Sequence, residues 1–570
     1  MNGEIVLKSN VLFTKYSDNI GNIPHSYYPR PQLRRPSYLI LNGEWDFSYG
    51  DYLYSDEYNE KITVPFPPES ALSGICRGHG EGEYLHYRRD VTLPEGFAIG
   101  RLLLHFGAID QEAWIYINGE QVYERLGGYI PFTVDITEYQ SLGSFTISVV
   151  CRDNLDPKYP YGKQTKKRGG MWYTQVSGIW QTVWLEAVPE DYIRSLRFTP
   201  VSDGVILEVD GGRVEKTLEI EGVGKYTFEG DKYEIHLNEP EYWTPECPKL
   251  YNITLTSGDD TVESYFALRT ISVAKVGGIS RLLLNGEPYI FNGLLDQGYF
   301  PDGLFLPATE EGYLDDIRLA KSLGFNMLRK HIKIEPEIFY YLCDREGIAV
   351  FQDMVNNSDY SFFRDTVLPT IGIQKLPDKH LHKDKESREI FERTMNEAAK
   401  LLYNHPSIVY YTIFNEGWGQ FSADEMYEKL HRLDPTRIID ATSGWFRRKL
   451  SDVDSRHIYF KPLKPKGLDG KPLVISEFGG YSYRVPEHLF GEANYGYKSF
   501  VSREEFDMAL TALYKNEVKP LIERGACAFV YTQLSDVEDE TNGIVTYDRA
   551  VVKVTSEEAI SAIADCSGKI

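Results

Sequence analysis

The chain has 570 residues, too many for a single hydrophobic core, so two to four domains are expected. Hydrophobic residues make up 42% and charged residues 25%, the balance of a folded globular protein rather than a disordered or fibrous one. A net charge of −23 repels phosphate backbones and argues against nucleic acid as a partner.

Six cysteines (Cys76, Cys151, Cys247, Cys343, Cys527, Cys566) lie far apart without C-x-x-C spacing, so neither a zinc site nor a disulfide framework is expected. The opening MNGEIVLKSN lacks a basic segment followed by an apolar one, and no apolar run is long enough to span a membrane. A cytoplasmic protein is the default expectation, although a removed signal peptide would leave the same sequence. The 77 aromatic residues (41 Tyr, 28 Phe, 8 Trp) suit β-sandwich cores and also pockets for sugars, so they do not discriminate.

In chain order, the first third reads as all-β. Short alternating segments such as RLLLHFGAI and EAWIYINGEQV are separated by Gly, Asn and Pro turns. Asn118-Gly119 predicts a hairpin turn, because both residues tolerate positive φ. A first sandwich over 1–188 follows, closing with GIWQTVWLEAV. A shorter β region over 189–275 has the size and strand spacing of a seven-stranded immunoglobulin-like sandwich. Beyond it, apolar runs alternate with helical patterns, the signature of a parallel sheet wrapped by helices. The runs are PYIFNGLLD, FNMLRKH, GIAVFQDM, IVYYTIFNE, RIIDATSG, RHIYF, PLVISEFG and ACAFVYTQL. Eight strands over 276–570 predict a (β/α)8 TIM barrel. Within it, EIFERTMNEAAKLLY puts Phe391, Met395, Ala398 and Leu402 on one helical face. Thr309 is placed as an N-cap of a helix that stops at Gly324.

Catalytic groups of such barrels stand at the C-terminal ends of the strands. Those ends here offer Asp296, Arg329, Asp353, Asn415 with Glu416, Ser443, Tyr459, Glu477 and Gln533. Glu416 and Glu477 each follow a strongly apolar run, the fourth and the seventh, and so lie across the barrel from one another. Glycoside cleavage needs such a pair, one acid for the leaving oxygen and one carboxylate for the anomeric carbon. A lone strand-end Glu could equally cap a loop or pair with Arg; two on opposed strands favour catalysis.

The chain resembles glycoside hydrolase family 2 along nearly its whole length, through LNGEWDFS, YRRDVTLPEG, SGIWQTVWLE, YWTPECPKLYNI, LLLNGEPYIFNG, GFNMLRKH, NHPSIVYYTIFNEGWG and VISEFGG. The resemblance implies a jelly-roll-like domain, an immunoglobulin-like domain and a catalytic barrel; some family members hold a magnesium ion beside the acid/base, but no matching ligand set stands out here, and no cofactor is expected. It implies that Glu416 is the acid/base, that Asn415 bonds the 2-hydroxyl, that Glu477 is the nucleophile and that Tyr459 orients it. It also implies a homo-oligomer by family habit, while the size of the barrel region, without a further binding module, sets the expectation of small glycosides or oligosaccharide ends as substrates. Arg329 is the cation expected beside Glu477, where a guanidinium favours the carboxylate. The alternative for Arg329 is a structural ion pair of the barrel.

The family leaves the sugar open. The Asn-x-Lys motif by which its β-glucuronidases grip a uronate is replaced by Glu540 and Asn542 in ETNGIVTYD, which disfavours a typical glucuronidase. The family's Arg-x-x-His after the second strand becomes Arg329-Lys330-His331-Ile332-Lys333. These cations either grip a carboxylate in another way, as a galacturonide would need, or strand alternation turns Lys330 outward; the position of Lys333 stays open. LLDQGYFPDG departs from the usual β-galactosidase run as well. Asp296 and Asp353 are expected to bond ring hydroxyls, and Trp445, Tyr531 and Gln533 complete the candidate substrate-binding set. The expected activity is a retaining exo-β-D-glycosidase on a galacto-configured sugar, with an atypical β-glucuronidase or a non-catalytic carbohydrate binder as alternatives. Lys166-Lys167-Arg168 reads as a solvated loop or a pocket rim. His380 and His382 read as loop residues, and no metal-ligand set stands out.

Overall fold

The computed structural model describes residues 12–570 apart from 56, 98, 372, 374–376 and 466–469; MNGEIVLKSN lies outside these residues. The first β region folds as two facing antiparallel sheets. One has six strands, including Gly43–Gly50, Tyr84–Thr92, Ser144–Arg152 and Glu112–Ile117; the other has four, centred on Val183–Val188 and Arg101–Phe106. Their inward residues, among them Trp45, Phe47, Phe106, Ile115 and Leu185, form one apolar core. Asn118 and Gly119 do turn the Glu112–Ile117/Glu120–Leu126 hairpin, with φ of 50° and 86°. The next region has sheets of three and four strands, seven in all, packed on Phe198, Leu207, Leu218 and Leu255. A hairpin over 271–284 then leads into the barrel and straddles residue 275.

The barrel has eight parallel strands: β1 (Glu287–Asp296), β2 (Met327–Lys330), β3 (Ala349–Asp353), β4 (Ile408–Asn415), β5 (Ile438–Ser443), β6 (Asp454–Ile458), β7 (Leu473–Gly479) and β8 (Ala526–Thr532). Ladder bonds run from β5 back through β1 to β8, β7 and β6. Between β5 and β6 no ladder forms among the described residues. Side chains bridge this seam instead: Ser443 Oγ lies 3.3 Å from Ser455 Oγ and 3.0 Å from His457 Nε2. The connection over 444–453 carries no helix, a departure from strict β/α alternation.

Apolar side chains fill the barrel, with Phe351 stacked on Tyr410 at 4.1 Å, while a separate outer layer packs strands on helices. The helix Lys385–Leu402 buries Phe391, Met395, Ala398 and Leu402, and the Asp384 side chain caps it by accepting from Ser387 N. The helix Glu310–Ser322 starts after Thr309 as expected, but the Thr309 side chain makes no cap bond. No helix among the described residues is long and apolar enough to cross a membrane.

Candidate active site

Glu416 follows β4 in a left-handed conformation, φ 51°, a region that costs a non-glycine residue about 1–3 kcal/mol. Its N–H donates to Ser443 O at the end of β5 (2.9 Å). Gly417 continues the turn with φ 80°, where a Cβ would strike the Phe446 ring at 2.3 Å. Glu477 comes from β7 and is nearly buried. One oxygen of each carboxylate and Nδ1 of His457 all lie within 4.8 Å of one another. Such closeness is compatible with the spacing of about 5–5.5 Å between the carboxyl groups of retaining glycosidases.

Each carboxylate is held separately. Arg329 Nη1 donates to Glu477 Oε1 at 3.1 Å and Tyr459 OH donates to Glu477 Oε2 at 2.7 Å. Tyr459 is itself fixed by Thr532 Oγ1 at 2.8 Å and by face-to-face stacking on Tyr497 at 3.9 Å. His457 Nδ1 lies 2.7 Å from Glu416 Oε1. The sequence reading missed His457, although it sits two residues before Tyr459, the spacing that shares a strand face. Among the described residues these three side chains are also the one trio spaced to share a metal ion.

Arg329 is buried and uses its whole fork: Nε to Asp353 (3.0 and 3.1 Å), Nη1 to Ser476 O (2.9 Å), Nη2 to Asn415 Oδ1 (2.9 Å). This fixes the Asn415 amide with its oxygen inward, and no protein acceptor is recorded for its Nδ2 among the described residues. Burial opposes the Asp353 charge, but Arg329 and His331 more than offset it and hold its carboxyl below the usual value. His331 Nδ1 meets Asp353 Oδ2 at 2.7 Å, and burial pushes the imidazole down to about 4.

Several expected hydroxyl binders therefore have other partners. Asp353 serves Arg329 and His331. Asp296 accepts from Lys330 Nζ at 2.6 Å and Gly298 N at 2.8 Å. Gln533 is bonded to Gln297 at 2.8 Å and Asn542 at 2.9 Å. Tyr531 lies in the outer layer, accepting from Tyr481 N and packing on Phe478. Trp445 stays beside the site, its ring 5.6 Å from that of His457.

The extra cations after β2 do not reach the carboxylates. Lys330 and Lys333 both bind Glu335 Oε1, at 2.9 and 2.8 Å, and Lys330 also lies over the Phe339 ring at 4.3 Å. Lys330 is thus turned out of the barrel but remains buried under the following helix. Replacing it by Met strands the buried Asp296, with an expected loss of about 3–5 kcal/mol in the unfolding free energy measured by denaturant titration. A loss under about 1 kcal/mol would show that the pair is not structural.

Lys166 is exposed beside Glu81 at 3.6 Å, whereas Arg168 reaches the barrel rim at Glu538 (4.0 Å) and over Phe490. His382 lies 3.4 Å from Asp359 in the loop region.

Residues 13–189 match the family model described as "Glycosyl hydrolases family 2, sugar binding domain", and residues 278–480 match "Glycosyl hydrolases family 2, TIM barrel domain". The chain is 26% identical over 481 residues to a β-galactosidase of Thermoanaerobacter pseudethanolicus, covering 76% of this chain and 60% of that one. It is 25% identical over 552 residues to a β-galactosidase of Aeromonas hydrophila, covering 82% and 50%. The chain thus spans half to three fifths of the length of these two relatives. A β-galacturonidase from Eisenbergiella tayi, solved with galacturonate, superposes with a TM-score of 0.67 at 20% identity, covering 95% of this chain and 98% of that one. A β-glucuronidase of an uncultured Clostridium superposes at 0.72 and 17% identity, covering 95% and 99%. With both of its family models matched in order and this fold beneath them, the chain belongs to glycoside hydrolase family 2.

Proposed function

We propose that the protein is a retaining exo-β-D-glycosidase acting on a terminal galacto-configured sugar, a β-galactoside or β-galacturonide. The observation that carries this reading is the Glu416–Glu477 pair, close enough for double displacement and separately anchored. In the first step Glu477 attacks the anomeric carbon as Glu416 gives its proton to the departing oxygen, forming a glycosyl-enzyme ester. In the second, Glu416 takes a proton from water, whose oxygen attacks the anomeric carbon on the face the leaving group vacated, opposite Glu477, and releases the Glu477 carboxylate. Arg329 and Tyr459 keep the nucleophile aimed, and Asn415 Nδ2 offers a donor to the 2-hydroxyl. The relatives named as β-galactosidases and the structure named as a β-galacturonidase support the galacto configuration.

A β-glucuronidase with an unusual carboxylate site is the second reading. Glu540, at the position where such enzymes carry part of their uronate motif, is here bound to Tyr173 and Asn542. Initial rates on p-nitrophenyl β-D-galactoside, galacturonide, glucuronide, glucoside and mannoside test both readings. Galacturonide or galactoside turnover is expected, with the β-anomer released first by NMR. In Glu416→Gln, turnover is expected to fall about 10²–10⁴-fold, the usual worth of a positioned proton donor. Release of the α-anomer would overturn the retaining mechanism in favour of an inverting one, and no turnover of any sugar would overturn the proposal and favour a carbohydrate binder.

A further inference from the structure

The loop following the first sandwich's Ser144–Arg152 strand is pressed into the barrel mouth. Gly162 has φ 64°, and a Cβ there would meet Ile332 O at 2.8 Å and Tyr129 OH at 3.0 Å, so this backbone admits no larger residue without strain. On either side, Tyr161 N donates to Asn356 O at 3.1 Å and Tyr161 OH to Ser358 O at 2.8 Å; Lys163 O accepts from Tyr173 N at 3.0 Å. The loop is thereby fastened to the connection after β3 and lies against the one after β2.

Lys163 is the residue so delivered. It is 8% exposed, yet no acid among the described residues lies within ion-pair distance of its ammonium, and no hydrogen-bond acceptor is recorded for it. Its Nζ sits 4.7 Å from the ring centroid of Trp418, two residues beyond Glu416, and 6.0 Å from that of Trp172. The charges around it are Glu540, Glu477, Glu416 and Arg329. Each of these is already engaged. Glu477 is tied to Arg329, Glu416 to His457, and Glu540 to Tyr173 and Asn542. Lys330 and Lys333 are engaged by Glu335. A buried ammonium without a paired anion is costly, and a ligand that brings the anion removes that cost.

We propose that Lys163 receives the carboxylate of a terminal β-hexuronide, so that the first sandwich supplies the group by which the barrel selects uronides over neutral glycosides. The inference rests on the two-glutamate reading of the site. It places the carboxylate grip on a different domain from the cations after β2 and from the Glu540 segment.

The test is the ratio of kcat/KM on p-nitrophenyl β-D-galacturonide and glucuronide to that on the galactoside, in wild type, Lys163→Met and Lys163→Arg. Wild type is expected to prefer a uronide. The Met variant should lose about 100-fold or more of that preference, the scale of a buried charge partner, and the Arg variant should retain most of it. Competitive inhibition of wild type by free galacturonate or glucuronate against galactose gives the same answer without a variant. A wild-type preference for the galactoside, or equal losses on acid and neutral substrates, overturns the role of Lys163 and leaves the glycosidase standing. No turnover of any glycoside overturns the glycosidase reading itself.

Discussion

Glu477→Gln is expected to reduce turnover of every activated glycoside by roughly four to six orders of magnitude, the scale on which loss of an enzymic nucleophile is felt. The fold should survive, because Gln keeps the volume and its oxygen can still accept from Arg329, as Glu477 Oε1 does at 3.1 Å, while its NH2 faces the Tyr459 hydroxyl oxygen. What disappears is the carboxylate proposed to form the glycosyl-enzyme ester. Pre-steady-state kinetics on a dinitrophenyl glycoside separates the two glutamates. Glu416→Gln should still release a burst of the good leaving group and then stall, because the ester needs a base for its hydrolysis. Glu477→Gln should give no burst. A variant at Glu477 that keeps a tenth of wild-type activity would remove it from the nucleophile's role.

Arg329→Met should damage activity and stability together. Its guanidinium connects Asp353, Glu477, Asn415 and Ser476 O, all deep in the barrel mouth. Without it Asp353 keeps only His331, whose imidazole burial holds down near 4, and the cost of an uncompensated buried charge is about 3–5 kcal/mol. The aim of the nucleophile and the orientation of the Asn415 amide go with it, so kcat/KM should fall by about 10³-fold. Unchanged kcat/KM together with unchanged stability would show that the guanidinium neither supports Glu477 nor binds the barrel.

Much of this was legible in the chain, for a physical reason. The eight apolar runs are strands buried on both faces, and such strands announce themselves as continuous hydrophobic segments. Their ends point to one rim, so Glu416, Glu477, Arg329 and Tyr459 could be gathered before any coordinates. The same continuity hides which face a residue takes. In ACAFVYT nothing distinguishes the barrel's inside from its outside, so Tyr531 was assigned to the pocket although it belongs to the outer layer. Asp296 and Asp353 were read as hydroxyl binders because a carboxylate at a strand end does not reveal that Lys330 or Arg329 will claim it. Lys163 lay beyond sequence reasoning. Its importance depends on where a loop of one domain is pinned on another, through Gly162 and Tyr161, and no local pattern records that.

The missing ladder between β5 and β6 makes the barrel a cylinder with a slit along one side. Glu416 is fastened across that slit, its backbone to Ser443 on one lip and its side chain to His457 on the other. Glu477 is clamped from the far wall by Arg329. Any widening of the slit would act on both bonds that hold the proposed proton donor, whereas the proposed nucleophile keeps its bond to Arg329. The two halves of the proposed machinery thus differ in how directly they are tied to the slit. On the proposed roles, protonation of a poor leaving group and hydrolysis of the ester both depend on the half tied across the slit, while the burst from a good leaving group depends on the other.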